Sequence, residues 1–215
     1  MRYKKLGKTG IDVSAIGIGT WQMGNGSHWN ANLNDRTSID TIRTAVDHGI
    51  NLIDTAHVYG AGHSETVVGK AVKEIGRDKV VLTTKVGIWY EPDGVYNEAT
   101  KCLKCNERVV MTQIEESLKR LQTDYLDFYQ VHYAGTTPIE ESTAAMQKLV
   151  MQGKIRHWGI SNYSYDQIEK VISLGYVCSY QPQYSLLYRE NQKSIDLCAK
   201  NNIGILTYGS IAGGI

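Results

Sequence analysis

No window of the sequence is apolar for long enough to cross a bilayer, and the stretch from Met1 to Gly10 has basic residues with no apolar run behind them, so neither a membrane span nor a secretory leader is expected. No run of like charge occurs either. The 23 Lys and Arg and the 22 Asp and Glu are interspersed and leave a formal charge of +1, which gives no electrostatic footprint for nucleic acid or anionic lipid. The expected partner is therefore a small molecule. Cysteine is scarce, at four residues, and only Cys102-Leu-Lys-Cys105 has a spacing that a zinc site or a redox pair would use. With no second Cys or His pair at similar spacing, these two read as reduced thiols in a loop, and no metal is expected. A Gly-x-Gly-x-x-Gly opening a helix after the first strand is also missing, so the common dinucleotide fingerprint of a doubly wound sheet is not available here.

What is present is enough apolar residue, 42% of 215, for one substantial core, read as a single domain over residues 1–215 of a cytosolic protein. A short hairpin is expected first, Arg2 to Leu6 and Ile11 to Val13. Seven apolar runs then read as strands: Ala15 to Gly19, Asn51 to Asp54, Val80 to Lys85, Leu126 to His132, Ile155 to Ser161, Cys178 to Gln181 and Ile203 to Tyr208. They are mostly apolar without strict alternation, as strands covered on both faces of a parallel sheet must be. Between them lie six sets of apolar residues at three- and four-residue spacing, such as Val110, Ile114, Leu118 and Leu121, each reading as one face of a helix. Glycines close several of these helices, at Gly49, Gly76, Gly153 and Gly175, where a left-handed cap is expected. The helix-to-strand turns are short, while two long segments, Trp21 to Arg36 and Val86 to Glu107, follow strands. That asymmetry favours a β/α barrel with its functional loops at one mouth. A complete barrel has eight strands, so a last strand and two helices are expected to be missing, with the first and seventh strands left as edges open to self-association.

Nearly every expected strand ends at its carboxyl side in a polar group: Thr20, Asp54, Lys85, His132, Ser161 with Asn162, Gln181 and Tyr208. In a barrel those ends converge. Asp54, Lys85, His132 and Tyr59, the last on the loop beyond Asp54, then form a coherent chemical group. A phenol with its ordinary pKa near 10 is a weak proton donor at neutral pH. The Lys85 ammonium is expected to lower it, with Asp54 holding the lysine charged and His132 orienting a carbonyl oxygen. Among nearby residues, His28, His57 and His63 read as surface or pocket lining, and Glu115, Glu116, Lys119 and Arg120 as the solvated face of a helix. Trp21, Trp29, Trp89 and Tyr90, on strand-to-helix loops, read as an aromatic wall for substrate.

Gly17-Ile-Gly-Thr-Trp21, Asn51-Leu-Ile-Asp-Thr-Ala-His-Val-Tyr-Gly60 with Ser64-Glu65 and Gly69, Thr84-Lys85, Ser117-Leu-Lys-Arg-Leu with Asp124-Tyr-Leu-Asp127, Gln130-Val-His132, Gly153-Lys-Ile-Arg156, Gly159-Ile-Ser-Asn162 and Gln181-Pro-Gln-Tyr184 occur in that order. In this the chain resembles the aldo-keto reductase superfamily, and its Leu206-Thr-Tyr-Gly-Ser-Ile-Ala-Gly-Gly end resembles the bacterial general-stress branch. The resemblance implies reduction of aldehydes and ketones by hydride transfer from NADP(H), with Asp54, Tyr59, Lys85 and His132 as the catalytic group and Tyr59 as the general acid. It also implies a nicotinamide carboxamide held by Ser161, Asn162 and Gln181, a ring stacked on Tyr208, and Gly19, Thr20 and Trp21 on the other side. Where many relatives have serine this chain has Gly209, so pyrophosphate contacts are expected from backbone amides at Gly209 and Ser210. The rivals are a cofactor-sensing regulatory subunit or an inactive truncated reductase, and a Schiff-base aldolase using Lys85.

Overall fold

A computed structural model describes residues 1–24, 34–89 and 102–212. The chain opens with an antiparallel hairpin, β1 (Tyr3–Lys5) and β2 (Asp12–Ser14), joined through a 3-10 turn at Gly7–Thr9. There follow β3 (Ile18–Gly19), α1 (Asp35–Asp47), β4 (Leu52–Asp54), α2 (His63–Ile75) and β5 (Val81–Val86). Next come a two-strand ribbon of β6 (Ile88–Trp89) and β7 (Cys102–Leu103), then α3 (Glu107–Leu121), β8 (Leu126–Val131), α4 (Ile139–Met151) and β9 (Ile155–Ser161). The described residues end in α5 (Tyr165–Leu174), β10 (Ser179–Gln181), α6 (Gln192–Lys200) and β11 (Gly204–Ile205).

Seven strands form one parallel sheet in the order β11-β10-β9-β8-β5-β4-β3. The order follows the chain, as in an incomplete β/α barrel, and matches the expected fold and element count. Strands β5 and β8 are buried at every position, Thr83, Thr84, Lys85, Asp127 and Gln130 included, as expected of strands covered on both faces of a parallel sheet. The outer strands β3 and β11 are shorter than their sequence runs, two residues each, because each has a pairing neighbour on one side only among the described residues.

The helices form where spacing and caps agree. In α3, Asn106 accepts a hydrogen bond from the Val109 amide, and Val110, Ile114, Leu118 and Leu121 point into the core. Ser164 and Gln167 make a reciprocal capping box at the start of α5. A side chain at Gly69 would bring its Cβ within 2.4 Å of the Arg120 carbonyl oxygen, so glycine is what lets α2 lie against the end of α3.

The hairpin closes the end of the sheet opposite the site. Leu6 and Val13 pack there with Leu52, Val81, Phe128 and Cys178. At the same end, Asp127 is buried and accepts from the Leu82 amide, Arg77 and Arg156, while the two guanidinium groups lie over the Tyr125 ring at 4.0 and 4.4 Å. The segment after β5 differs from expectation in one respect: its ends are tied into the β6–β7 ribbon, with Ile88 opposite Leu103. No helix among the described residues is long and apolar enough to cross a membrane.

Candidate active site

The parallel register of β4 and β5 fixes the first contact. Asp54 leaves the end of β4 opposite Thr83, and Lys85 leaves β5 two residues beyond Thr83, on the same face of the alternating pleat. The Lys85 ammonium, wholly buried, donates to Asp54 Oδ2 at 2.6 Å, to the Thr55 carbonyl at 2.9 Å and to the Tyr59 hydroxyl at 3.3 Å. Three acceptors satisfy its three protons. The Thr55 carbonyl was not visible from the sequence, because a backbone acceptor has no residue-type signal.

Tyr59 reaches the lysine because its loop is folded tightly. Gly60 has φ of 57°, and a Cβ there would fall within 1.6 Å of the Gly24 carbonyl oxygen, so the loop after β4 sits directly on the 3-10 turn Trp21–Gly24 that follows β3. The Trp21 ring lies over Tyr59, centroids 6.1 Å apart and 28° between planes. His132 meets the Tyr59 ring edge-on at 6.0 Å and stacks on Tyr133 at 5.2 Å. All four residues singled out in the sequence are thus gathered at one rim.

The electrostatics correct one expectation. Burial raises the Tyr59 phenol, and the Lys85 charge offsets only part of that rise, so the group stays above the ordinary phenol value of 10. Burial works against the Lys85 ammonium, but Asp54 and Tyr59 together outweigh it and hold the lysine above its ordinary value. The result is a phenol that keeps its proton at neutral pH beside a permanent cation.

Beside this group, the ends of β9 and β10 carry an array of amides and hydroxyls. Ser161 Oγ donates to the Gln181 carbonyl at 2.8 Å, and Asn162, at φ of 57°, donates to Ser161 Oγ and to the His132 carbonyl, both at 3.1 Å. The Tyr208 hydroxyl donates to Asn162 Oδ1 at 2.7 Å. Gln181 donates to Asp54 Oδ1 at 2.9 Å. Burial pushes the Tyr208 phenol up to about 12. An aromatic and amide surface of this kind fits a flat ring bearing a carboxamide, with Trp21 and Tyr208 each offering an exposed ring.

Other expected site residues fall elsewhere. Thr20 is wholly buried, its hydroxyl on the Asp54 carbonyl and under Ser64 Oγ, so it braces the strand that carries Asp54. Gly19 is exposed in β3, Gly209 has φ of 64°, and Ser210 is exposed with its hydroxyl on Thr207. Trp89 lies in β6, while Trp29, Tyr90 and His28 are outside the described residues. His63 bonds Asp35. His57 and Arg120 are turned toward the interior: His57 is buried against the Arg120 guanidinium at 2.6 Å, and Arg120, partly buried, also binds the wholly buried Glu65. Their charge types suggested solvent, and only the packing of α3 on α2 turns them inward. Cys105 is a buried free thiol that burial pushes up to about 12, and no group of three or more His, Cys, Asp or Glu suited to a metal occurs among the described residues.

A parallel β/α sheet thus brings a buried lysine, a carboxylate, a phenol and an imidazole together at the carboxyl ends of its strands, where barrel enzymes place their chemistry. A sequence model of the Aldo/keto reductase family matches residues 15–215, and the chain belongs to that family. It is 44% identical over 218 residues to an aldo-keto reductase of Bacillus subtilis, YhdN, an alignment covering all of this chain and 63% of that protein. Its structure is similar to that of aldo-keto reductase AKR11C1 from Bacillus halodurans in the holo form (TM-score 0.89, 30% identity, 100% of this chain and 68% of that one). It is also similar to an aldo-keto reductase from Klebsiella pneumoniae in complex with NADPH (TM-score 0.81, 32% identity, 97% and 68%). The chain therefore spans about two thirds of the length of the relatives it matches.

Proposed function

We propose that this chain carries the catalytic and nicotinamide-binding face of an NADPH-dependent reductase that converts aldehydes and ketones to alcohols. The observation that carries the reading is the Lys85 ammonium held between Asp54 Oδ2 at 2.6 Å and the Tyr59 hydroxyl at 3.3 Å. NADPH, when bound, supplies the hydride that goes to the carbonyl carbon. Tyr59 supplies the proton to the carbonyl oxygen, and the adjacent Lys85 charge stabilises the phenolate left behind. Asp54 keeps Lys85 charged and in register, and His132, edge-on to Tyr59, orients the carbonyl oxygen. Ser161, Asn162 and Gln181 would hold the carboxamide, Tyr208 and Trp21 would flank the ring, and Gly19, Thr20, Gly209 and Ser210 would border it. The protein's part is position and charge.

The neighbouring NADPH complex supports the choice of cofactor. A lysine held protonated by a carboxylate is a poor amine nucleophile, which weighs against a Schiff-base aldolase. The test is oxidation of NADPH, followed by absorbance, with an activated aromatic aldehyde, alongside NADH. Turnover with NADPH supports the reading; tight cofactor binding with no turnover would instead favour a cofactor-sensing regulatory role, and borohydride trapping of a carbonyl on Lys85 would favour the aldolase. Self-association through β3 and β11, each with one pairing neighbour among the described residues, is part of the same proposal and is read by sedimentation velocity.

A further inference from the structure

The Tyr59–Lys85 contact lies on a closed circuit of side chains, most of which are remote from the rim. From Lys85 the circuit passes one residue back along β5 to Thr84, whose hydroxyl donates to Glu65 Oε1 at 2.6 Å. Glu65, in the first turn of α2 and wholly buried, accepts from Arg120 Nε at 2.7 Å. A second Arg120 nitrogen lies 2.6 Å from His57 Nδ1, and two residues along the same loop is Tyr59. The His57 backbone amide also donates to the Lys85 carbonyl at 3.3 Å. Arg120 comes from the last turn of α3, and its hydrogen bonds go to Glu65 and His57.

Space for this arrangement is kept by glycine. Gly62 has φ of 88°, and a Cβ on it would come within 2.6 Å of Arg120 Nε. The Arg120 side chain therefore packs directly on the Gly62 backbone, at the end of the loop that carries Tyr59. Arg120 is doubly committed: Nε binds the buried Glu65 carboxylate, and Nη2 holds the His57 ring, with the half-exposed Glu116 4.0 Å from Nη1. Because His57 is buried and accepts at Nδ1, the ring cannot rotate without stranding a donor of Arg120.

We propose that Arg120, through His57 and Glu65, is a positioning residue that sets the distance between the Tyr59 hydroxyl and the Lys85 ammonium. This deepens the reductase reading and rests on it for the word catalysis, although the geometric part stands by itself. A displacement of about 1 Å at a reacting group is enough to cost roughly a hundredfold in rate, so a clamp outside the site can matter as much as a residue within it.

Arg120→Met alone would strand a buried carboxylate, so the informative variants are His57→Leu, which spares the Glu65–Arg120 pair, and the double variant Glu65→Leu/Arg120→Met, which removes both charges together. Both are expected to lower kcat by roughly ten- to a hundredfold, with KM and the dissociation constant for NADPH changed less than about twofold. His57→Gln, whose amide oxygen can accept the same hydrogen bond, is expected to recover most of the rate. The second readout does not depend on turnover. In protein labelled at tyrosine Cζ with carbon-13, the resonance lost in Tyr59→Phe identifies Tyr59; it is expected to shift or broaden in His57→Leu and to return in His57→Gln. An unmoved Tyr59 resonance in His57→Leu overturns the proposal whatever the rates are. A moved resonance in a chain that does not turn over supports the clamp and counts against the reductase reading alone.

Discussion

Gln181, 127 residues beyond Asp54 in the chain, donates its side-chain amide to Asp54 Oδ1 at 2.9 Å, while the other carboxylate oxygen binds Lys85. The two carboxylate oxygens are thus held by different partners, and Asp54 cannot turn away from the lysine without also giving up Gln181. Gln181 serves the catalytic group as well as the amide array of β9 and β10.

Gln181→Leu should therefore loosen Asp54 and lower kcat by roughly tenfold, the value of one hydrogen bond to a charged group. Gln181→Glu should cost more, because a second carboxylate would compete for Lys85, and part of the loss should return as the pH is lowered and the added acid takes up a proton. Steady-state rates across pH measure both. Equal rates for the wild type and Gln181→Leu would show that the contact has no catalytic weight.

At the far end of the sheet the buried Asp127 carboxylate accepts from the Leu82 amide, Arg77 and Arg156. Asp127→Asn keeps the shape and removes the charge, leaving two arginines without their shared anion. The expected loss is roughly 3 kcal/mol, seen as a fall in Tm of about 6 to 12 °C, with little change in KM for a chain that turns over. A shift under 2 °C in a thermal melt would contradict the assignment.

His57 makes stability depend on acid. Burial and the neighbouring Arg120 charge bring its pKa down to about 3 from the ordinary 6.5. Above 6.5 the ring is neutral folded or unfolded. Between 6.5 and 3 only the unfolded chain takes the proton, so stability is lost as pH falls through that window. Urea unfolding at pH 7, 6, 5 and 4 should show a declining free energy, and His57→Gln should decline less steeply over the same range; parallel slopes would refute this origin of the acid sensitivity.

The alternation of strands and helices was legible because both faces of the inner strands are covered: Val81–Val86 and Leu126–Val131 are buried throughout, and neither shows the strict polar–apolar alternation of a half-exposed strand. The strand-end residues Asp54, Lys85 and His132 were legible for a related reason, since polar groups at the ends of apolar runs have few structural uses. What escaped was everything set by contact between helices. Arg120 and Glu116 share a helix face and look alike in sequence, yet Arg120 is drawn inward by a buried Glu65 while Glu116 stays half-exposed. The direction of the Tyr59 shift also escaped, because charge proximity can be guessed from residue types but the depth of burial that opposes it cannot.

The central claim is that Tyr59, next to the charged Lys85, delivers the proton to a carbonyl being reduced. Tyr59→Phe removes one oxygen and leaves the ring contacts with Trp21 and His132 in place. The decisive measurement is the rate of NADPH oxidation with an activated aldehyde in this variant, together with its affinity for NADPH. A rate reduced by roughly two to four orders of magnitude, with cofactor affinity unchanged, is the predicted result; turnover equal to that of the unmodified chain would contradict it.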